Sequence, residues 1–142
     1  MDAISNFKLI DNLSGYDKSN NVNGLNVIDL LPYGVSWSCN GKKKEIVYSD
    51  KIVPLLLKDN TGIALVKSPF SKKDNQAYIV NSHGDIFWDV GGTIRQHEKD
   101  AVISDVYYIS DDLFFFFNVN GRDCRIKFDP KTGKIGEVIP SY

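Results

Sequence analysis

The chain is poor in the residues that carry most covalent and metal chemistry. Its 142 residues include two cysteines, two histidines and one methionine. Cys39 and Cys124 are too few for a disulfide framework, and they read as free buried thiols in a reducing compartment. Neither His83 nor His97 sits in an HExxH or CxxC context, and there is no Asp-rich calcium loop, so no metal or cofactor is expected. No GxSxG elbow is present, and Gly91-Gly92 lacks the surroundings of a dinucleotide or phosphate loop. Neither charge sign dominates. The 17 Lys and Arg against 18 Asp and Glu leave a net charge of −1, which argues against a nucleic-acid binder working by bulk electrostatics. The clusters Lys42-Lys43-Lys44 and Lys72-Lys73 fall at predicted turns and read as solvated loop charge. No apolar run approaches the length of a membrane helix. The opening MDAISNFKLIDNL has no basic n-region or apolar h-region, so a cytoplasmic protein is expected.

What the chain has in quantity is turn chemistry between apolar strands. Leu113–Ile139 is the clearest stretch. Asn120-Gly121 joins two apolar runs as a type I′ turn, which needs positive φ at both central residues. That register sets Val119 opposite Arg122, Phe117 opposite Cys124 and Phe115 opposite Ile126. Leu113, Phe115, Phe117, Cys124, Ile126 and Phe128 then share one apolar face. On the other face Phe116 pairs with Arg125 and Phe114 with Lys127. Four consecutive phenylalanines predict a central strand covered on both sides. Asp129-Pro130-Lys131-Thr132-Gly133 turns the chain into a third strand, Lys134–Ile139.

Upstream, Ser5–Ile10 reads as a short helix or a first strand, and Leu25–Leu31 as a strand. Gly34–Asp50 forms a second hairpin around Asn40-Gly41, setting Cys39 opposite Lys42 and Trp37 opposite Lys44. Lys51–Leu57 is a strand that Pro54 confines to an edge or a bulge. Ile63–Lys67 and Gln76–Asn81 follow, separated by a polar loop. A three-residue turn, Ser82-His83-Gly84, pairs Val80 with Ile86, Ile79 with Phe87 and Tyr78 with Trp88. Gly91–Asp100 reads as a polar connection before Val102–Ser110. The stretch Ile63–Val90 resembles Leu113–Val138 at an offset of 48 to 50 residues, the period of four-stranded propeller-like blades. Residues 25–50 offer a partial third unit. The expectation is a single all-β domain over residues 1–142. Its architecture is an antiparallel meander of hairpins, an open half-propeller-like stack of two to three small sheets.

By elimination, a binding role is favoured. Asp85 and Asp89 bracket Phe87-Trp88, while Asp105, Asp111 and Asp112 flank Tyr107-Tyr108. Aromatics beside carboxylates at sheet ends supply anchors and steering charge for a protein partner. The candidate contact set is therefore Asp85, Trp88, Asp89, Asp105, Tyr107, Asp111 and Asp112. Two other classes stay open: a carbohydrate- or ligand-binding module stacking on Trp37 or Trp88, and a small ribonuclease using His97 for acid–base work.

The chain as a whole resembles the small immunity proteins of bacterial contact-dependent growth inhibition and related toxin–immunity systems. It is short, leaderless, rich in lysine and asparagine and without a catalytic set, and it is built on hairpins such as Val119-Asn120-Gly121-Arg122 and Asp129-Pro130-Lys131-Thr132-Gly133. The resemblance carries over no individual residue roles. It implies a cytoplasmic, non-enzymatic protein that binds one cognate toxin, often a nuclease, and blocks its active site. No nucleic acid, membrane or cofactor is expected as a partner.

Overall fold

The computed structural model describes residues 2–13, 15–70 and 75–141, and Lys72-Lys73 lie outside these. Eleven strands and one short helix follow in the order β1 (Ser5–Ile10), β2 (Gly34–Cys39), β3 (Lys42–Val47), β4 (Ile52–Leu56), β5 (Gly62–Lys67), β6 (Ala77–Asn81), β7 (Ile86–Asp89), α1 (Val90–Arg95), β8 (Val102–Ile109), β9 (Asp112–Val119), β10 (Arg122–Phe128) and β11 (Ile135–Pro140). They make three antiparallel sheets, β1-β2-β3, β4-β5-β6-β7 and β11-β10-β9-β8. The two four-stranded sheets are the two halves of the repeat, each a simple meander with every strand beside its neighbours in sequence.

The second sheet is the middle layer. In β5, Ile63 and Leu65 join β2's Val35, Trp37 and Cys39 in one apolar cluster. Ala64 and Val66, on the opposite side of the same strand, join Phe115, Phe117, Ile126 and Phe128 in the other. Alternation along one strand thus feeds two cores, and the run Gly62–Val66 is buried throughout.

In the third sheet the predicted β9–β10 register holds from Arg122–Val119 to Lys127–Phe114. Phe115 and Phe117 lie in the core at 0% and 1% exposure, and Phe114 and Phe116 on the outer face are almost as covered, at 9% and 8%. On that outer face Phe116 faces Arg125 and Phe114 faces Lys127 as expected, while the side chains make further contacts. Tyr107 stacks on Phe116 at 4.2 Å, Arg125 lies over the diagonal Phe114 at 5.5 Å, and Lys127 turns to Asp112 at 3.1 Å.

Four local readings are corrected. Leu25–Leu31 is a run of turns, with Val27 77% exposed. Asparagine and aspartate side chains take the backbone bonds a strand would need: Asn21 accepts from the Leu25 N–H and donates to its carbonyl, and Asn26 accepts from the Asp29 N–H. The place beside β2 goes to β1 instead. Lys42–Lys44 belong to the exposed edge strand β3 and not to its turn. The stretch after Asp89 opens with a helical turn, because the Asp89 carboxylate caps the Gly92 N–H at 3.0 Å and Val90 and Ile94 bury one face. Gly91 lets that helix lie against β6, where a Cβ would come within 3.3 Å of the Ala77 nitrogen. In the β6–β7 hairpin Val80 pairs with Ile86 as expected, but a bulge then sets Ile79 opposite Trp88 and Tyr78 opposite Asp89. Phe87 is the extra residue, so its side chain and that of Trp88 exchange the roles the plain register gave them.

Phe115→Ala is expected to cost about 3–5 kcal/mol through the cavity it leaves between the second and third sheets. A urea-unfolding midpoint that barely moves would show that β9 does not hold this core.

Candidate partner-binding rim

Every second turn of a meander returns to the same end of its sheet. The turns β4–β5, β6–β7, β8–β9 and β10–β11 therefore gather along one rim. Between them runs a groove of about 360 Å³ floored by Leu57, Ile79, Val80, Phe87 and Pro130, with Asp59, His83 and Lys131 at its lip. A second hollow of about 480 Å³ continues it past Lys58, Tyr108, Asp111, Asp112, Lys127 and Asp129.

Each wall is built by local bonds. Asp59 accepts from the backbone and hydroxyl of Thr61. Asn81 accepts from the backbone N–H groups of His83 and Asp85 and so shapes the β6–β7 turn. Lys58 crosses from the second sheet to the third, donating to the Ser110 carbonyl at 2.6 Å and to Asp111 at 3.2 Å, with its ammonium over the Tyr108 ring. Asp129 accepts from the Lys131 backbone N–H, the main reason its carboxyl is held below the usual range. Trp88 fastens the far wall: its indole N–H donates to the Pro130 carbonyl at 2.7 Å and its ring covers Gly133.

The structure brings only part of the predicted contact set together. Asp85, Asp111 and Asp112 stand on the rim. Trp88 is a half-buried joint beneath it, and Asp89 is the cap of α1. Asp105 and Tyr107 lie on the outer face of the third sheet, away from the groove residues, in a shallow hollow with Phe116 and Asp123. Asp105 is half-buried there, and desolvation raises its carboxyl above the usual range against the pull of the Val106 N–H. Trp37, 1% exposed, offers no stacking face and spends its indole N–H on the Ser82 carbonyl. His83 pairs with Asp2 at 2.9 Å, and His97 lies exposed after α1.

Sequence reasoning named Phe87 beside Trp88 but kept only Trp88 in the contact set, whereas Phe87 is the one exposed on the groove, at 48%; Ile86, 58% exposed, was not in that set. The bulge that turns Phe87 outward has no composition signal of its own. Asp59 and Asp129 were legible only as turn formers.

No protein-family model matches the chain, and no curated protein does. Among solved structures, it is similar to a chain from the structure of Tne2 in complex with Tni2. The TM-score is 0.69 at 15% identity, over 98% of this chain and 99% of that one. The three-sheet fold is therefore shared along essentially the full length of both.

Two outcomes test this geometry. At Gly133, φ is +74° and a Cβ would lie 2.6 Å from the Trp88 ring. Gly133→Ala should cost at least about 1–2 kcal/mol from backbone conformation alone and shift the Trp88 fluorescence. Asp105 binds its proton more tightly folded than unfolded, so its contribution to stability falls as pH rises from the unfolded carboxyl value through the raised folded one. Asp105→Asn should therefore raise the melting temperature at pH 7, and the gain should vanish below about pH 4. An equal gain at both pH values would place its cause outside ionisation.

Proposed function

We propose that this is a non-enzymatic binding protein that neutralises a cognate protein toxin, as immunity proteins do, by laying the turn rim over the toxin's active site. The observation that carries the reading is the groove itself, an apolar floor with an exposed aromatic, Phe87, edged by Asp59, His83 and Lys131 and continued by a hollow where Asp111, Asp112 and Asp129 alternate with Lys58 and Lys127. Apolar centres with polar rims are how protein interfaces are built, and a buried aromatic is their usual anchor. Along the rim the carboxylates are Asp59, Asp111, Asp112 and Asp129, with Asp85 on the neighbouring β6–β7 turn. Asp111 and Asp112 each hold a lysine in an exposed pair, and such pairs are worth about 1 kcal/mol or less. They exchange readily for cations of a partner. A toxin with a basic cleft, as a nuclease has, is the target that such a rim would steer.

The fold adds support of a different kind. It recurs, end to end, in a chain of a two-protein complex. Binding another protein is therefore compatible with this architecture, and the resemblance to immunity proteins gives that partner its class. The small-ligand alternative retains one observation in its favour, the size and apolar floor of the groove. It lacks the exposed tryptophan that a sugar would stack on.

Co-expression with the product of the adjacent upstream gene tests the proposal. A stable complex and rescued growth are expected. Phe87→Ala should weaken the complex by about 2 kcal/mol or more, while Asp111→Lys with Asp112→Lys should slow association and reduce its salt dependence. No complex and no rescue would remove the immunity reading. A glycan titration that moves Trp88 fluorescence would put the ligand-binding module in its place.

A further inference from the structure

We propose that Asp2, Cys39 and His83 form a zinc site joining the first sheet to the second. Their ligand atoms all lie within 4.8 Å of one another, although they come from the segment before β1, the end of β2 and the β6–β7 turn. Tetrahedral Zn²⁺ with bonds of about 2.0–2.3 Å holds its ligands roughly 3.3–3.6 Å apart. His83 Nε2 and an Asp2 oxygen are now 2.9 Å apart. A shift of about 1 Å at two half-exposed side chains would admit the ion.

Each ligand sits on an anchored backbone. The indole of Trp37, two residues before Cys39, donates to the Ser82 carbonyl at 2.7 Å, which pins the His83 turn to β2. Asn81 holds that turn's shape through the His83 and Asp85 N–H groups. Ile4, two residues after Asp2, is buried, and its N–H donates to the Asn60 carbonyl at 2.7 Å. The cluster is thus held by bonds that leave the ligand side chains themselves uncommitted to the scaffold, as a metal site requires.

The donor set selects the ion. A thiolate disfavours calcium and magnesium, and sulfur, imidazole and carboxylate together suit zinc. Thiolate and carboxylate offset the ion's two charges while neutral imidazole adds none, so a half-buried site stays uncharged. Three protein ligands leave a fourth position for water, on the exposed side where His83 and Asp2 lie. The site stands independently of the binding role proposed above, although His83 also lines the groove.

Cobalt(II), titrated into the full chain after treatment with a chelator, provides the readout. One equivalent should bind, giving a thiolate-to-cobalt charge-transfer band and the intense visible bands of a tetrahedral ion, both lost on adding zinc. Loss of an outer-shell partner alone costs about 10–100-fold in affinity, so His83→Ala and Asp2→Asn should each weaken binding at least about tenfold. Cys39→Ala should abolish the charge-transfer band. Affinity should also fall as the pH drops and ligands become protonated. His83 is exposed, so its variant tests the site even if the buried Cys39 variant folds poorly. No binding, cobalt bound without the charge-transfer band, or equal affinity in the His83→Ala protein would each overturn the proposal.

Discussion

The structure depends on strands that have no wet face. β5 is the extreme case: Ile63 and Leu65 point one way, Ala64 and Val66 the other, and all four are buried. A strand in that position can be stable only with a sheet on each side, so the second sheet must be the middle of a stack. The small residues follow from the same constraint. Ala64 and Ala77 share a cluster with Phe115, Phe117 and Phe128, and bulky rings from one layer need short side chains opposite if the sheets are to close. β9 repeats the arrangement further out, with Tyr107 and the Arg125 stem providing the outer cover.

The layers are also tied by polar bonds that sequence does not advertise. Buried Asn75 donates to the carbonyls of Lys67 and Ile103, and accepts from the Ile103 N–H and from Arg95. One amide therefore knits β5, α1 and β8 together with its donors and acceptor all engaged. Trp37 to Ser82 and Trp88 to Pro130 do the same between the first and second sheets and between the second and third. Both tryptophans, attractive as binding platforms when seen only in sequence, are joints. The turns of the rim are thereby held to the sheets on either side.

The hairpins were legible because their signals are local. Asn120-Gly121 and Asn40-Gly41 dictate turns whose backbone handedness sets the register on both sides, and both registers were read residue for residue. The 50-residue repeat was legible for a related reason, since two meanders with similar turn spacing repeat their apolar pattern. Leu25–Leu31 misled because its apolar count resembles a strand while Asn26 and Asp29 within it and Asn21 before it supply competing local bonds. The helix after Asp89 was hidden by two glycines that propensity counts against a helix and that close packing requires.

The candidate site was legible only as a class. That turns would carry carboxylates beside aromatics followed from composition. Which of them meet did not, because Asp59, Asp85, Asp111 and Asp129 come from four different hairpins whose ends align only once the sheets stack.

By itself, the sequence determined most of the strands and the turns and registers of the two Asn-Gly hairpins, since these rest on φ preferences and alternation within a dozen residues. Tertiary structure alone decided the order of the layers, the outward turn of Phe87 at its bulge and the meeting of Asp2, Cys39 and His83. Those outcomes depend on how whole sheets fit face to face, and no short stretch of chain contains that information.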